Sequence, residues 1–418
     1  MNKKKKKVLV ISDSPLVPSG VGTQTKYMIE AMLATGEFSF FCLAGAIKHQ
    51  DYRLQRVDPW VEDWHILPVD GYGNPEIVRS VIAQQKPDVL WFMTDPRFYV
   101  WLWDMEDEIR KNIPMIYYHV WDNYPYPKFN KNFYDSTDVV ATISKVTDDI
   151  VRNVSPSVDV VRIPHTVATN TFKKMDKSEY LDIKNQITND DRMIFFWNNR
   201  NARRKQSGTL IFWFKEFLDI VGHDKALLMM HTEPKDPNGQ DLVAIMEELG
   251  LTNGEVLLST AKLPPQDLAK IYNAADCTVN IADAEGFGLA TLESLSCETP
   301  IIVTMTGGMQ EQVTDGEQWF GIGIQPTSKA IIGSQDVPYI YEDRIAKQDF
   351  LDAMLKFYNT PIEQRESMGK RGRQHVLNEY GQSKFAGLWY ETFNKVFEER
   401  GSWSTRKKYD KWELIEVK

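Results

Sequence analysis

Short apolar runs alternate with amphipathic stretches through the first half of the chain. Between the runs lie helical patterns such as Gln24–Ala34, for which Gly36 is a predicted C-cap. Alternating strands and helices are typical of a parallel, doubly wound sheet, so this half is predicted to be an α/β domain. The predicted strands are Val8–Ser12, Phe38–Ala44, Val89–Met93, Met115–His119, Val139–Ile143 and Val160–Ile163.

A second alternation of the same kind begins at Met193. The charged segment before it, Phe172–Asp191, has no strand pattern and is predicted to bridge two domains. The helix predicted at Gly208–Val221 has one apolar face. We therefore predict two Rossmann-like domains, at residues 1–170 and 171–383. The predicted strands of the second domain are Met193–Trp197, Ala226–Met230, Val256–Leu258, Cys277–Ala282 and Pro300–Thr304.

Composition narrows the class of protein without identifying it. Of the 418 residues, 42% are hydrophobic and 26% are charged, as in ordinary globular proteins. No apolar run approaches the roughly 18 residues of a membrane span, and the run after Lys3–Lys7 is too short for a signal peptide, so a cytoplasmic protein is predicted. We interpret the lysines as a solvated tail, with anionic lipid or nucleic acid as the alternative partner. The net charge of −9 argues against a large nucleic-acid footprint.

The cysteines and histidines give no sign of a metal site. Cys42, Cys277 and Cys297 lack the spacing of metal ligands and are predicted to be buried, reduced thiols. The seven histidines include no H-x-x-x-H pair. No metal ligand is therefore predicted.

The most informative stretch is EGFGLATLE, which begins at Glu285 and ends at Glu293. It follows the predicted strand Cys277–Ala282 and runs into a helical pattern at Leu289–Ser296. Glu285 is therefore expected on the loop that leaves a strand, and Glu293 about one turn into the next helix. In an open α/β sheet, ligands bind at this kind of corner.

The glycines of this stretch favour an anion site. Gly286 and Gly288 let the backbone approach a ligand closely, and the free N–H groups of a helix start favour a diphosphate. Carboxylates would repel phosphates, so the two glutamates are interpreted as hydrogen-bond acceptors for hydroxyl groups of a ribose and a sugar. Asp283-Ala-Glu285 also resembles an acidic metal-binding triplet, but Glu285 is better used by the larger motif.

The spacing of the two glutamates resembles the Glu-x7-Glu signature of retaining GT-B glycosyltransferases, the family 4 group. The similarity runs almost continuously from Ile271 to Gly316 and includes Ala-Ala-Asp, Cys-x-Thr-Pro and Gly-Gly-x-x-Glu. The resemblance implies two Rossmann-like domains facing across a cleft, with a final helix, at about residues 384–418, crossing back to the first domain. It also implies metal-independent sugar transfer from a nucleotide-diphosphate sugar, with retention and no cofactor. UDP and GDP donors are both compatible.

The resemblance assigns roles to a basic loop in the second domain. Arg200 and Lys205 match an Arg-x4-Lys pattern on a predicted strand-to-helix loop. They would stabilise the negative charge that develops on the leaving diphosphate. Gln206 and Asn199 stand where that pattern usually has glycines. Backbone N–H groups would hold the phosphates at Gly286, Phe287, Gly288 and Leu289.

In the first domain the resemblance implies two further groups of site residues. Gly20 and Gly22 stand where the family has glycines that approach the donor phosphate and the acceptor. His119 stands at a strand end where the family has a histidine facing the transferred sugar. In this arrangement Glu293 would accept from the ribose hydroxyls and Glu285 from those of the sugar.

The predicted activity is therefore glycosyl transfer from a nucleotide sugar to a hydroxyl acceptor, which is a glycan, a lipid, a small molecule or a modified DNA base. Transfer to a modified DNA base, as in phage-type enzymes of this architecture, is one alternative function. A sugar-nucleotide epimerase on the same two-domain plan is another. A binding module that keeps the site without catalysis is a third.

Overall fold

The strands predicted from apolar runs are all present in the computed structural model, which describes residues 4–409. Their ends agree with the predicted ends to within two residues. The strands are β1 (Lys6–Asp13), β2 (Phe38–Gly45), β3 (Gln55–Arg56), β4 (Trp64–Pro68), β5 (Val89–Met93), β6 (Met115–His119), β7 (Val139–Thr142), β8 (Asp159–Arg162), β9 (Met193–Asn198), β10 (Ala226–His231), β11 (Val256–Ser259), β12 (Cys277–Asn280), β13 (Ile301–Thr304), β14 (Gly321–Ile324), β15 (Ser328–Ile332) and β16 (Ile340–Arg344).

The helices fill most of the segments between strands. They are α1 (Gly20–Leu33), α2 (Pro75–Gln85), α3 (Val100–Trp103), α4 (Glu106–Arg110), α5 (Lys131–Asp135), α6 (Lys145–Val154), α7 (Lys177–Ile187), α8 (Ser207–Val221), α9 (Leu242–Glu248), α10 (Pro265–Ala274), α11 (Leu289–Ser296), α12 (Met309–Val313), α13 (Lys347–Tyr358), α14 (Ile362–Glu379) and α15 (Gln382–Arg400).

The described chain divides into two units. Unit 1 comprises residues 4–166, 335–337 and 382–409, and unit 2 comprises residues 167–334 and 338–381. Helix α15 belongs to unit 1, where Trp389 packs edge-on against Trp91 at a centroid distance of 5.8 Å and Phe393 lies 5.6 Å from Phe38. The predicted bridging segment, Phe172–Asp191, contains α7 and lies within unit 2.

Unit 1 is built on an eight-stranded sheet with the order β3-β4-β2-β1-β5-β6-β7-β8. All neighbours are parallel except β3, which runs antiparallel to β4. After β1 the chain builds toward β4, and from β5 it builds in the opposite direction, so the order reverses between β1 and β5. The buried apolar run of β1 explains why it occupies a central position.

Unit 2 is built on a six-stranded parallel sheet with the order β11-β10-β9-β12-β13-β14. One face is covered by aromatic packing, in which Phe195 of β9 contacts Phe214 and Phe217 of α8 and Phe357 of α13. These side chains are fully buried. Both units are doubly wound α/β sheets, as the alternation predicts.

Five short strands were not predicted. They are β3, β4, β14, β15 and β16. The last two pair antiparallel as a hairpin outside the parallel sheets, which we call the β15–β16 hairpin. The three cysteines are free and buried, as predicted. Within residues 4–409, no helix is both long enough and apolar enough to cross a membrane.

Candidate active site

Two loops that bear predicted site residues leave neighbouring strands of unit 2. Strands β9 and β12 are paired, and the order of the sheet reverses between them. In an open α/β sheet such a switch point leaves a crevice at the carboxyl ends of the strands. Arg200 and Lys205 follow β9, and Glu285 follows β12. The topology of unit 2 therefore places the basic loop beside the glutamate loop.

Lys205 and Glu285 form an ion pair in which the Nζ of Lys205 contacts the Oε2 of Glu285. Their side chains are only 9% and 13% exposed. Burial raises the pKa of the Glu285 carboxyl, but Lys205 and Arg204 outweigh burial and hold this pKa below its ordinary value. Arg204 also donates to the carbonyl oxygen of Ala284 at 2.6 Å. The Glu285 carboxylate is therefore ionised at neutral pH and fixed in place.

Gln206 forms the turn that a glycine would favour. Its φ of 56° and ψ of 35° lie in the left-handed region. The Nε2 of Gln206 donates to Asp283 at 2.5 Å, and the hydroxyl of Thr209 donates to the Oε1 of Gln206 at 2.6 Å. The departure from the family's glycine thus keeps the left-handed turn and adds two side-chain hydrogen bonds.

The β15–β16 hairpin is tied to both loops by ion pairs that the sequence did not reveal. Arg344 contacts the carboxylate of Asp283 at 2.5 Å, and Arg203 grips Glu342 with two hydrogen bonds of 2.8 and 2.6 Å. Burial raises the pKa of Asp283 to about 6, although Arg344 and other donors oppose the shift. No sequence signal identified these partners, because the hairpin strands were not predicted.

The loop Gly286–Leu289 ends at an uncapped helix start. Gly288 is the N-cap of α11 with a φ of 88°, and no side chain of the described residues caps the helix. Backbone N–H groups at such a start are available to an anion. Gly308 packs against the loop so closely that a Cβ would lie 2.8 Å from the Cα of Phe287. Gln312 donates to the carbonyl oxygen of Phe287 at 2.6 Å and holds the loop from the other side.

Glu293 lies in the middle of α11 and is partly exposed. Its Oε2 accepts a hydrogen bond of 2.9 Å from the hydroxyl of Tyr272, which in turn accepts from the Nδ2 of Asn198 at 2.9 Å. Burial raises the pKa of Glu293 to about 7, and the Tyr272 hydrogen bond opposes this shift. Sequence reasoning missed Tyr272 and Asn198, although Tyr272 lies within the stretch that resembles the family.

Arg200 is not joined to either glutamate. Its guanidinium makes two hydrogen bonds, of 2.6 and 3.1 Å, to Asp236 on the loop after β10. The Arg200 side chain is 63% exposed. The structure therefore brings Lys205 and Glu285 into contact and leaves Arg200 at the surface with a different carboxylate.

The predicted residues of unit 1 lie after β1 and at the end of β6. His119, at the end of β6, is fully buried, and burial lowers its pKa to about 3. The ring pairs through Nε2 with the hydroxyl of Tyr134 at 2.7 Å, and Nδ1 has no hydrogen-bond partner among residues 4–409. Gly20 begins α1, and a Cβ on Gly22 would lie 2.6 Å from the carbonyl oxygen of Ser14. Gly22 is thus required for the packing of its own loop.

The arrangement of acidic, histidine and thiol groups bears on metal binding. In the described part of the chain, no group of three or more His, Cys, Asp or Glu side chains could hold a metal ion. Asp283 and Glu285, two residues of the acidic triplet, instead face Arg344 and Lys205.

Comparison with known proteins finds a family match for part of the chain. Residues 216–375 match the family model described as Glycosyl transferases group 1. The D-inositol 3-phosphate glycosyltransferase of Acidothermus cellulolyticus is 35% identical over 86 residues, which is 21% of this chain and 18% of that relative. The chain thus spans less than a fifth of the length of this curated relative.

Two solved structures show the same fold over nearly the whole chain. A sucrose-phosphate synthase from Thermosynechococcus elongatus has a TM-score of 0.75 and 16% identity, and the match covers 94% of this chain and 100% of that one. Anabaena HepE in complex with UDP and glucose has a TM-score of 0.67 and 13% identity, with coverage of 93% and 99%. The matches do not favour the epimerase or the modified-DNA alternative. The predicted class of enzyme is thus supported by the glycosyltransferase family match over residues 216–375, and the fold is shared with GT-B structures over nearly the whole chain.

Proposed function

We propose that this chain transfers a glycosyl group from a nucleotide-diphosphate sugar to a hydroxyl acceptor, with retention and without a divalent metal. The observation that supports the proposal most strongly is the Lys205–Glu285 pair at the switch point of unit 2. A cation, a carboxylate and the uncapped start of α11 are what a sugar diphosphate requires for its phosphates and its hydroxyl groups.

The phosphate part of the donor would be bound by positive charge. A leaving nucleoside diphosphate gains negative charge as its bond to the sugar breaks, and fixed cations stabilise that charge. Lys205 is largely buried at the site, while Arg200 is mostly exposed. Asp236 also accepts hydrogen bonds from the backbone and side chain of Asn238, so it keeps partners when the exposed Arg200 turns to a phosphate.

The hydroxyl groups of the donor would be bound by the two glutamates. Glu285 is ionised because Lys205 and Arg204 outweigh its burial, so it accepts hydrogen bonds from the sugar. Glu293 has a partly exposed carboxylate on α11, one turn beyond the anion-binding helix start, and accepts from the ribose. His119 of unit 1 stays neutral near pH 7 because burial lowers its pKa, so its ring is not suited to proton transfer.

Retention would follow from substitution on one face of the sugar. In such a step the acceptor oxygen bonds to the anomeric carbon while the bond to the phosphate oxygen breaks. The departing phosphate oxygen takes the proton of the acceptor hydroxyl. The step requires no titrating general base, and protein cations supply the charge stabilisation for which other enzymes use a metal ion.

Product analysis tests the reaction directly. UDP-glucose, UDP-galactose and GDP-mannose are incubated with an acceptor library in the presence of EDTA, and products are examined by NMR. We expect a glycoside with the anomeric configuration of the donor. An inverted product would contradict retention, and loss of product in EDTA with recovery on added magnesium would contradict metal independence.

Variants test the assignment of residues. Arg200→Ala and Glu285→Ala should each lower turnover by roughly tenfold to a thousandfold, as for single lost transition-state contacts. Lys347→Ala is the control, because Lys347 is 49% exposed and paired with Glu216 on the surface of unit 2. Unchanged turnover in both site variants would overturn the assignment.

A further inference from the structure

Two hydrogen bonds in series connect Asn198 to Glu293 through Tyr272. Asn198, the last residue of β9, donates from Nδ2 to the hydroxyl of Tyr272 at 2.9 Å. The hydroxyl of Tyr272 lies 2.9 Å from the Oε2 of Glu293. The three residues come from β9, α10 and α11, so these hydrogen bonds link three elements of unit 2.

The donor and the acceptor of each hydrogen bond follow from the chemical groups involved. The amide nitrogen of Asn198 can only donate, so the Tyr272 oxygen accepts there and its single proton is directed to Glu293. One carboxylate oxygen of Glu293 is thus committed to Tyr272. The other, Oε1, has no hydrogen-bond partner among residues 4–409, and the side chain is partly exposed.

Packing prevents Tyr272 from turning away. Its side chain is fully buried, and its ring meets Phe196 edge-on at a centroid distance of 5.1 Å and Phe172 at 6.0 Å. A buried aromatic ring enclosed on two sides has little freedom to move its hydroxyl. The position of the Glu293 carboxylate is therefore set by elements outside its own helix.

We propose that Tyr272, oriented by Asn198, is a positioning residue that presents one oxygen of Glu293 to a ribose hydroxyl, and that the site therefore selects ribonucleoside over deoxyribonucleoside diphosphates. The inference rests on the proposed function, because it assumes that a nucleoside diphosphate binds beside α11. A hydroxyl bound by a carboxylate that is already held in position contributes strongly to ligand affinity, and a ligand that lacks the hydroxyl leaves that carboxylate oxygen without its partner.

Binding of matched nucleotides tests the inference. Isothermal titration is carried out with UDP, 2′-deoxy-UDP and 3′-deoxy-UDP, or with the GDP series if GDP binds more tightly. We expect the wild-type protein to prefer the ribonucleotide over at least one deoxy analogue by roughly tenfold. Tyr272→Phe should weaken ribonucleotide binding about threefold to tenfold and leave the affinity for that deoxy analogue nearly unchanged.

Two further variants separate positioning from a structural effect. Asn198→Ala keeps the Tyr272 hydroxyl but removes its donor, so a smaller loss of ribonucleotide affinity in the same direction is expected. This variant also serves if Tyr272→Phe does not fold. Tyr99→Phe is the matched control: it removes another fully buried tyrosine hydroxyl, bonded to two backbone carbonyls of unit 1, and should preserve the discrimination.

The outcomes are distinguishable. Equal losses for UDP and its deoxy analogues in Tyr272→Phe would show a structural role and overturn the inference, as would unchanged discrimination in that variant. A wild-type protein that binds no nucleoside diphosphate at all would overturn the proposed function itself.

Discussion

Lys205 and Glu285 are eighty residues apart in the chain and form an ion pair that is largely shielded from solvent. The pair exists because β9 and β12 are neighbours at the switch point of the unit 2 sheet. A buried carboxylate without a cation would be costly to ionise, so Lys205 determines the charge state of Glu285.

Replacing Lys205 by methionine should move the pH dependence of turnover. The pKa of Glu285 is low only because Lys205 and Arg204 outweigh burial, so it should rise in this variant. The ionised form is then lost at a higher pH, and the acid limb of the turnover profile should shift upward along with a fall in maximal rate. Lys347→Met, at an exposed pair, is the control. A lower maximal rate with no shift of the acid limb would contradict the proposed effect of Lys205 on the pKa of Glu285.

Replacing Glu293 by glutamine should stabilise the free protein at alkaline pH. The carboxyl ionises near 4.5 when unperturbed and near 7 in the folded state. Between these values the folded state holds a proton that the unfolded state has lost, so stability falls as pH rises through this window. Glutamine does not titrate, so the variant does not lose this stability as the pH rises. Thermal unfolding should show a higher midpoint for Glu293→Gln at about pH 8 and no difference at about pH 4. Equal midpoints at both pH values would argue against a raised pKa.

Alanine at Gly308 should distort the loop Gly286–Leu289, which is proposed to bind the phosphates of the donor. A Cβ there would lie 2.8 Å from the backbone of Phe287, which cannot move aside as a flexible side chain can. Gly387 is the matched control, because it is an exposed glycine of α15 with no atom within 4 Å of an added Cβ. Gly387→Ala should gain about 0.5–1 kcal/mol from helix propensity. Nucleotide binding should fall in Gly308→Ala alone, and equal affinity in the two variants would refute the role given to the loop packing.

Valine and glycine in place of Gln206 should affect stability differently, because the backbone of this residue is left-handed. Valine is β-branched and strained at a φ of 56°, and it also loses the bonds to Asp283 and Thr209. Gln206→Val should therefore lower the free energy of unfolding by about 2 kcal/mol or more. Glycine loses the same bonds but relieves the backbone, so Gln206→Gly should stay within about 1 kcal/mol of the wild type. Urea unfolding compares the two, and equal losses would show that the turn is not strained.

The sequence predicted those strands whose apolar runs are unbroken. β5 and β6 have the predicted bounds because every residue in them is buried, which gives a continuous apolar pattern. β14 reads Gly-Ile-Gly-Ile and was missed, because glycine is depleted in strands and only tertiary pairing keeps it there. The β15–β16 hairpin has mostly exposed and half-buried residues, and its one buried residue is the charged Glu342, so it lacks a readable apolar period.

The site was predictable where it depends on loops that leave adjacent strands. The motif at Glu285 and the basic loop at Lys205 led to residues that the structure joins. Partners supplied by other elements were not predictable, because Tyr272 on α10 and Asp236 after β10 reach the site only through the tertiary fold. The burial of His119 likewise depends on the packing around β6, including Tyr134.

The switch point of unit 2 is proposed to bind a nucleoside diphosphate through Lys205 and the two glutamates. The most direct test is thermal unfolding of the wild-type protein and Lys205→Met with UDP, GDP, ADP and their sugar conjugates. A ligand at about 100 times its dissociation constant should stabilise the wild type by roughly 2.7 kcal/mol. We predict a shift with one nucleotide base, reduced in Lys205→Met. No shift with any of these nucleotides, or an equal shift in both proteins, would contradict the claim.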